Sequence, residues 1–299
     1  MTFRLAHVTD PHFRSFEGAR FADFVGKRAV GALNIAVNRR RKFKMELLAS
    51  MGDDLRDQRH DHIALTGDLS NVSLDAEWRT ALRWLEELGR APGDVTVIPG
   101  NHDAYVPEVV ERRAFEALFG AYQSRDADAG PSHDDAYPFV RFRGPLALVG
   151  MNSCVATGDL GAWGRIGDAQ LARTEATLTS PALREKTRVV LIHHPPVRLK
   201  GGEDRNLKDR DALAAMLARA GADLVLHGHD HHDERAELPG PGGAKIPVIG
   251  AGSASYTGGP EKRARYNVYE FDGRSITCLT RVHDEASDRF REATRETLR

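Results

Sequence analysis

Short apolar runs that end at a carboxylate, an amide or a histidine dominate this sequence. Leu5-Ala6-His7-Val8-Thr9 runs into Asp10-Pro11-His12, and His62-Ile63-Ala64-Leu65-Thr66 runs into Gly67-Asp68. Val95-Thr96-Val97-Ile98 leads to Gly100-Asn101-His102-Asp103, and Val189-Val190-Leu191-Ile192 to His193-His194-Pro195. Asp223-Leu224-Val225-Leu226 leads to Gly228-His229-Asp230-His231. Runs of β-branched and aliphatic residues bounded by Gly, Pro, Asp or Asn predict buried strands. Between them, residues 75–88, 108–122, 168–178 and 209–220 predict helices. The first follows Ser73-Leu74 with acid in its opening turn, where it complements the helix dipole. Later, residues 246–249, 266–271 and 275–282 read as strands, with Asp272-Gly273 as a hairpin turn. The charged residues 284–299 read as an exposed terminal helix. Strands alternating with helices give an α/β architecture in layers, with a single domain over residues 1–299.

In an open α/β sheet, ligands bind just beyond the carboxyl ends of the strands. Five strands would therefore deliver nitrogen and oxygen donors to one edge. Imidazole and carboxylate without thiolate suit Zn, Mn, Fe or Co. Seven donors are too many for one four-coordinate ion but suit two ions sharing a bridging carboxylate. Paired ions roughly 3.5–4 Å apart serve in-line displacement at phosphorus, with an acidified bridging water as nucleophile. Each residue taken alone reads as a turn Asp or Asn, or as a histidine satisfied by a backbone carbonyl. Five blocks, each at a strand end, read as a site.

Asp10-x-His12, Gly67-Asp68, Gly100-Asn101-His102-Asp103, His193-x-Pro195 and Gly228-His229-x-His231 resemble, in order, the five signature blocks of calcineurin-like metallophosphoesterases. The resemblance implies a layered sandwich of mixed β-sheets flanked by helices. It implies one metal held by Asp10, His12, Asp68 and His231. A second would be held by Asp68, Asn101, His193 and His229, with Asp68 bridging; Mn, Fe or Zn are the metals expected. His102 matches the family's non-ligand histidine, which reaches the substrate phosphate or protonates the leaving oxygen. The implied activity is phosphodiester hydrolysis by a metal-bridging hydroxide. Phospholipid head groups or glycerophosphodiesters are one substrate class and cyclic nucleotides the alternative. A non-catalytic metal-binding module at a membrane surface is the reading from a different class. The other histidines receive no role.

Composition leaves this reading intact. A chain of 299 residues, 41% hydrophobic and 28% charged, can bury a large core. Cys154 and Cys278 sit beside apolar runs and suggest buried thiols in a reducing compartment. Because the N-terminus enters the first strand directly, no signal peptide is expected, and no apolar run is long enough to span a bilayer. The expectation is a cytoplasmic protein, peripheral to the inner membrane surface if it contacts lipid. There is no Gly-x-Ser-x-Gly elbow and no phosphate-binding Gly-x-x-x-x-Gly-Lys loop. Gly250-Ala251-Gly252-Ser253 lacks the third glycine of a dinucleotide loop and reads as a close backbone approach.

Charge adds one asymmetry. Residues 24–45 hold seven basic side chains and no acid, in a chain whose 42 basic and 43 acidic residues otherwise nearly cancel. Val30, Leu33 and Val37 recur there at helical spacing. A helix with an apolar side and a basic end can lie on an anionic lipid surface, attract nucleic acid, or cap the core with solvated charge. Aromatic residues interleaved for base stacking are absent, which disfavours nucleic acid. The segment is expected outside the ligand core at the cleft mouth. Replacing Arg39, Arg40, Arg41 and Lys42 with glutamine is expected to weaken lipid binding and spare turnover of a small soluble diester.

Overall fold

The structure is a computed structural model that describes residues 2–131, 133–158, 161–198, 202–259 and 262–299; the Arg40 side chain lies outside what is described. Twelve strands form two six-stranded sheets. They are β1 (Phe3–Val8), β2 (His62–Leu65), β3 (Val95–Val97), β4 (Phe139–Arg143), β5 (Leu146–Gly150) and β6 (Thr187–Leu191). The rest are β7 (Leu224–His227), β8 (Asp233–Pro239), β9 (Lys245–Ala251), β10 (Arg265–Asp272), β11 (Ser275–Asp284) and β12 (Arg289–Thr297). One sheet has the order β12-β11-β10-β1-β2-β3 and the other β4-β5-β6-β7-β9-β8. β1, β2 and β3 are parallel, as are β5, β6, β7 and β9, and antiparallel strands complete both sheets.

Period-two side-chain alternation sets the layers. Leu5, Ala64, Leu148, Val189, Leu191, Leu224, Leu226 and Tyr269 form the seam between the sheets. Their neighbours point the other way. Ala6, Ile63 and Leu65 pack under the helices Glu46–Asp57 and Asp75–Glu87, through Met51, Trp78 and Trp84. Val149, Val190 and Val225 pack against the helices Asp168–Leu178 and Arg210–Ala220. Strands buried on both faces carry no polar alternation, which is why they read as continuous apolar runs. Both cysteines are free and buried, and among the described residues no helix is long and apolar enough to cross a membrane.

The C-terminal segment departs from expectation. Residues 284–299 do not form a helix: β12 pairs antiparallel with β11 along its whole length. Phe290 is its buried anchor, against Tyr266 and His283. The rest of its charge sits on a solvent-facing edge strand, with Arg295 paired to Glu270 and Glu292. Charge on an exposed edge discourages pairing with another chain, and it also hides the strand's alternation. The stretch 108–122 is likewise split into Pro107–Glu111 and Ala114–Phe119, with Arg113 in left-handed backbone at φ 50°.

Candidate metal centre

The carboxyl ends of β1, β2, β3, β6 and β7 converge. Asp10 and His12 follow β1, Asp68 follows β2, Asn101 and His102 follow β3, His193 follows β6, and His229 and His231 follow β7. Five of these have left-handed backbone: Asp10 (φ 50°), His12 (49°), Asp68 (55°), His229 (77°) and His231 (56°). Such conformations cost about 1–3 kcal/mol each and persist only where the surroundings over-determine them. Here they turn each side chain back over the strand end. Two glycines allow the loops to meet: a Cβ on Gly100 would strike the Asp68 backbone, and one on Gly228 the side chains of Thr9 and Asp10.

Buried carboxylates that do not face the cluster hold those loops. Asp103 accepts from the backbone N–H of Leu69 (3.0 Å), Ser70 (2.9 Å) and Gly100 (3.0 Å), from Ser70 Oγ (2.8 Å) and from Trp78 Nε1 (2.9 Å). It thereby ties the loop bearing Asp68 to the loop bearing Asn101. Glu77 accepts from the N–H groups of Asn71, Val72 and Leu74, and Asn71 Nδ2 donates to the carbonyls of His12 and Phe13.

Two donor sets face the space these loops enclose. In the first, His231 Nε2 lies 3.1 Å from Asp10 Oδ1 and 3.2 Å from His12 Nε2, and His12 Nε2 lies 3.7 Å from Asp68 Oδ2. The donor atoms of Asp10, His12, Asp68 and His231 all lie within 4.8 Å of one another. In the second, His193 Nε2 lies 3.1 Å from Asn101 Oδ1 and 3.5 Å from Asp68 Oδ1. His229 Nδ1 lies 2.8 Å from the same Asn101 oxygen. Asp68 stands between them, with Oδ2 toward one set and Oδ1 toward the other.

Chemically, these residues fit cations. His12 Nδ1, His193 Nδ1 and His229 Nε2 donate to the carbonyls of Ser70 (3.1 Å), Thr66 (2.7 Å) and Arg205 (2.9 Å). That contact fixes each tautomer and leaves the other nitrogen's lone pair toward the cluster. Burial holds all three imidazoles below their ordinary pKa, so they stay neutral, as metal ligation requires. Burial, and then the nearby Asp10 and Asp68's neighbour Asp103, push Asp68 well above the carboxylate range. Burial would raise Asp10 too, but His231 holds it below that range. Two carboxylates buried this closely call for positive charge between them, and Asp10 Oδ1 is buried facing only the imidazoles of His231 (3.1 Å) and His12 (3.8 Å).

His102 stands beside the donor sets. Its Nδ1 donates to the Asn71 carbonyl (2.5 Å), its backbone N–H donates to Asp68 Oδ1 (2.7 Å), and its ring stacks on Tyr105. Nε2 faces Arg39 Nη1 at 2.9 Å. Burial, then the Arg39 charge, keep His102 below the imidazole range. Of the other histidines, His194 packs on His193 and His229 and bonds to Ser153 and the Ala162 carbonyl, supporting the cluster without joining it.

Arg39 was legible only as one member of a basic run. Its guanidinium turns into the site, where it also touches His12 (3.0 Å). The expectation that replacing 39–42 would spare turnover of a small soluble diester is therefore inconsistent with this geometry, because Arg39 touches His102 and a candidate ligand. The second half of the segment lies at the cleft mouth: a cavity of about 630 Å³ is lined by Asn34, Asn38, Lys42 and Phe43 together with Asp68, His102 and His229.

Two mixed sheets with Asp and His donors gathered at their strand ends define the metallophosphoesterase class, whose members bind divalent metals. The sequence profile of calcineurin-like phosphoesterases matches residues 3–233, and the chain belongs to that family. No curated protein sequence matches it. Among solved structures, a dimetal phosphatase from Danio rerio superposes with a TM-score of 0.59 at 14% identity, covering 99% of this chain and 98% of that one. Purple acid phosphatase PPD1 from yellow lupin superposes at 0.60 with 13% identity; 99% of this chain is covered but 53% of the lupin chain. GAP50, the anchor in the inner membrane complex of Plasmodium, superposes at 0.53 with 12% identity, covering 99% and 88%. Likeness at this identity establishes the fold alone, so function rests on the residues themselves.

Proposed function

We propose that this chain hydrolyses phosphodiesters at two metal ions, one held by Asp10, His12, Asp68 and His231 and one by Asp68, Asn101, His193 and His229. The observation that carries the proposal is Asp68, whose two carboxylate oxygens face separate, complementary donor sets. Bound there, the ions would supply Lewis acidity toward phosphoryl oxygens and acidify a water for attack on phosphorus. The chain's own groups do the rest. Arg39 offers a fixed donor to a phosphoryl oxygen. His102, oriented by its Nδ1–H bond to Asn71, presents Nε2 to the leaving oxygen. A phosphodiester anion entering between Arg39 and His102 offsets the arginine charge that lowers His102's proton affinity, so Nε2 can carry the proton a leaving alkoxide needs.

We read the substrate as a diester because the cavity lining extends beyond the donor sets, leaving room for a second substituent on phosphorus. Phe43 and Tyr256, ring centroids 5.0 Å apart, line that cavity as an aromatic pair. Asn34 and Asn38 line the same cavity with polar amides. The polar amides would suit a phospholipid head group or a glycerophosphodiester, and the aromatic pair is what a cyclic nucleotide would use as a base platform. A substrate panel on metal-loaded protein tests this. Bis(p-nitrophenyl) phosphate and a glycerophosphodiester should exceed p-nitrophenyl phosphate by roughly tenfold or more in kcat/KM, about 1.4 kcal/mol of transition-state discrimination. A monoester preference would overturn the diester reading, and turnover confined to cyclic nucleotides would select the base-platform reading.

A further inference from the structure

Among the described residues, seven large apolar side chains are exposed, and six of them lie between Phe16 and Val37: Phe16, Phe21, Val25, Val30, Leu33 and Val37. Phe21 is 97% exposed and Leu33 65%. Scattered single exposures need no explanation, but six in one short segment do.

The segment's fold does not depend on these exposed side chains. The helix Lys27–Asn34 and the π-helical turn Ile35–Arg39 pack on the body by the opposite side. Gly31 sits so close that a Cβ would come within 2.6 Å of Val72 and 2.7 Å of the Tyr105 hydroxyl. Ile35 is buried with Val72 and Leu74. Arg28 donates to the carbonyls of Val72 (3.0 Å) and Ser73 (2.9 Å) and pairs with Glu108, while Lys27 donates to Thr157. Two of the basic residues counted in the sequence are therefore tied inward, and Arg39 enters the site. Of the other four, three have described side chains: Arg41, Lys42 and Lys44 are exposed, and among the described residues they form no ion pair. They are held at the cleft mouth, because Lys44 N–H bonds the Ser255 carbonyl and the Lys42 carbonyl accepts from Thr257 N–H.

We propose that this apolar face with its basic end is a docking surface for an anionic phospholipid bilayer. A fixed helix lying flat can bury such a face roughly 5–10 Å into the head-group boundary, while unpaired cations meet lipid phosphates. A second copy of the chain is the poorer occupant, since a two-fold contact would bring two acid-free basic ends into one interface. Leu33 and Val37 adjoin the cleft-lining Asn34 and Asn38, so docking would set the cleft against the head groups. The link to catalysis rests on the phosphodiesterase reading; the docking itself does not.

The test is co-sedimentation of the full chain with phosphatidylcholine–phosphatidylglycerol vesicles and with phosphatidylcholine alone. It should be run on the parent and on an Asp68→Asn protein, so that binding is read without turnover. Both should bind the anionic vesicles. Phe21→Ser/Leu33→Ser should reduce partitioning by roughly tenfold or more. Arg41→Gln/Lys44→Gln should do so most in dilute salt, with the difference vanishing near 1 M, where the Debye length falls to about 3 Å. Metal content and hydrolysis of bis(p-nitrophenyl) phosphate should match the parent in both double variants. Three results would overturn the proposal: a parent that does not bind, a Phe21→Ser/Leu33→Ser protein that binds like the parent, or a parent dimer that this variant dissociates. Vesicle binding without any diester turnover would leave docking standing and count only against the catalytic reading.

Discussion

Asp68→Asn should abolish turnover, by at least about 10³-fold, and should hold at most one metal ion. Removing a single electrostatic stabiliser from an active site costs roughly 10²–10³ in rate, and this carboxylate serves two donor sets at once. Asparagine is the informative replacement. It keeps the volume and the acceptor for His102 N–H and, unlike alanine, tolerates the left-handed backbone of position 68. Stability gives an independent readout. Asp68's pKa is raised in the metal-free fold, so its contribution is present at acid pH and lost as pH rises through that folded value. The metal-free parent should thus weaken relative to Asp68→Asn on going from acid to neutral pH. Added metal should raise the parent's Tm far more than the variant's. An Asp68→Asn protein with two ions and parental activity would remove the bridging role.

His102→Ala should lose about 10²–10⁴-fold in kcat with metal content unchanged, because its imidazole hydrogen-bonds only Asn71 and Arg39, meets Tyr105 and His12 through ring faces and edges, and reaches Asp68 only by its backbone N–H. The loss should be smaller for a nitrophenolate leaving group, which needs little protonation, than for an alkoxide. Arg39→Met provides the contrast. A donor to a phosphoryl oxygen serves both substrates alike, so its loss should be equal for the two and should appear in KM as well as kcat. Equal losses at His102 would instead make that residue a phosphate-positioning group.

Much of the site was legible because each candidate ligand closes an apolar run, and the order of the blocks is a property of the sequence. What was hidden is tertiary. No local pattern marks Asp10, His12, Asp68, His229 and His231 as left-handed, since that conformation is imposed by loops meeting across Gly100 and Gly228. Asp103 reads as part of a ligand block, yet it points away and organises two loops. The basic run looked uniform because charge counting cannot tell an inward Arg28 or Arg39 from an outward Arg41. β12 was missed because its alternation is written in ion pairs on a solvent-facing edge, with Phe290 as its single buried side chain.

On the proposed function, seven residues hold two metal ions and hydrolysis depends on both. Titrating chelator-stripped protein with manganese, zinc or iron, while following bound metal and turnover of bis(p-nitrophenyl) phosphate together, tests it most directly. The expected result is saturation at two ions per chain, with activity reaching its plateau only as the second ion binds. Saturation at one ion with full activity, or full activity in the stripped protein, would rule out a two-metal site.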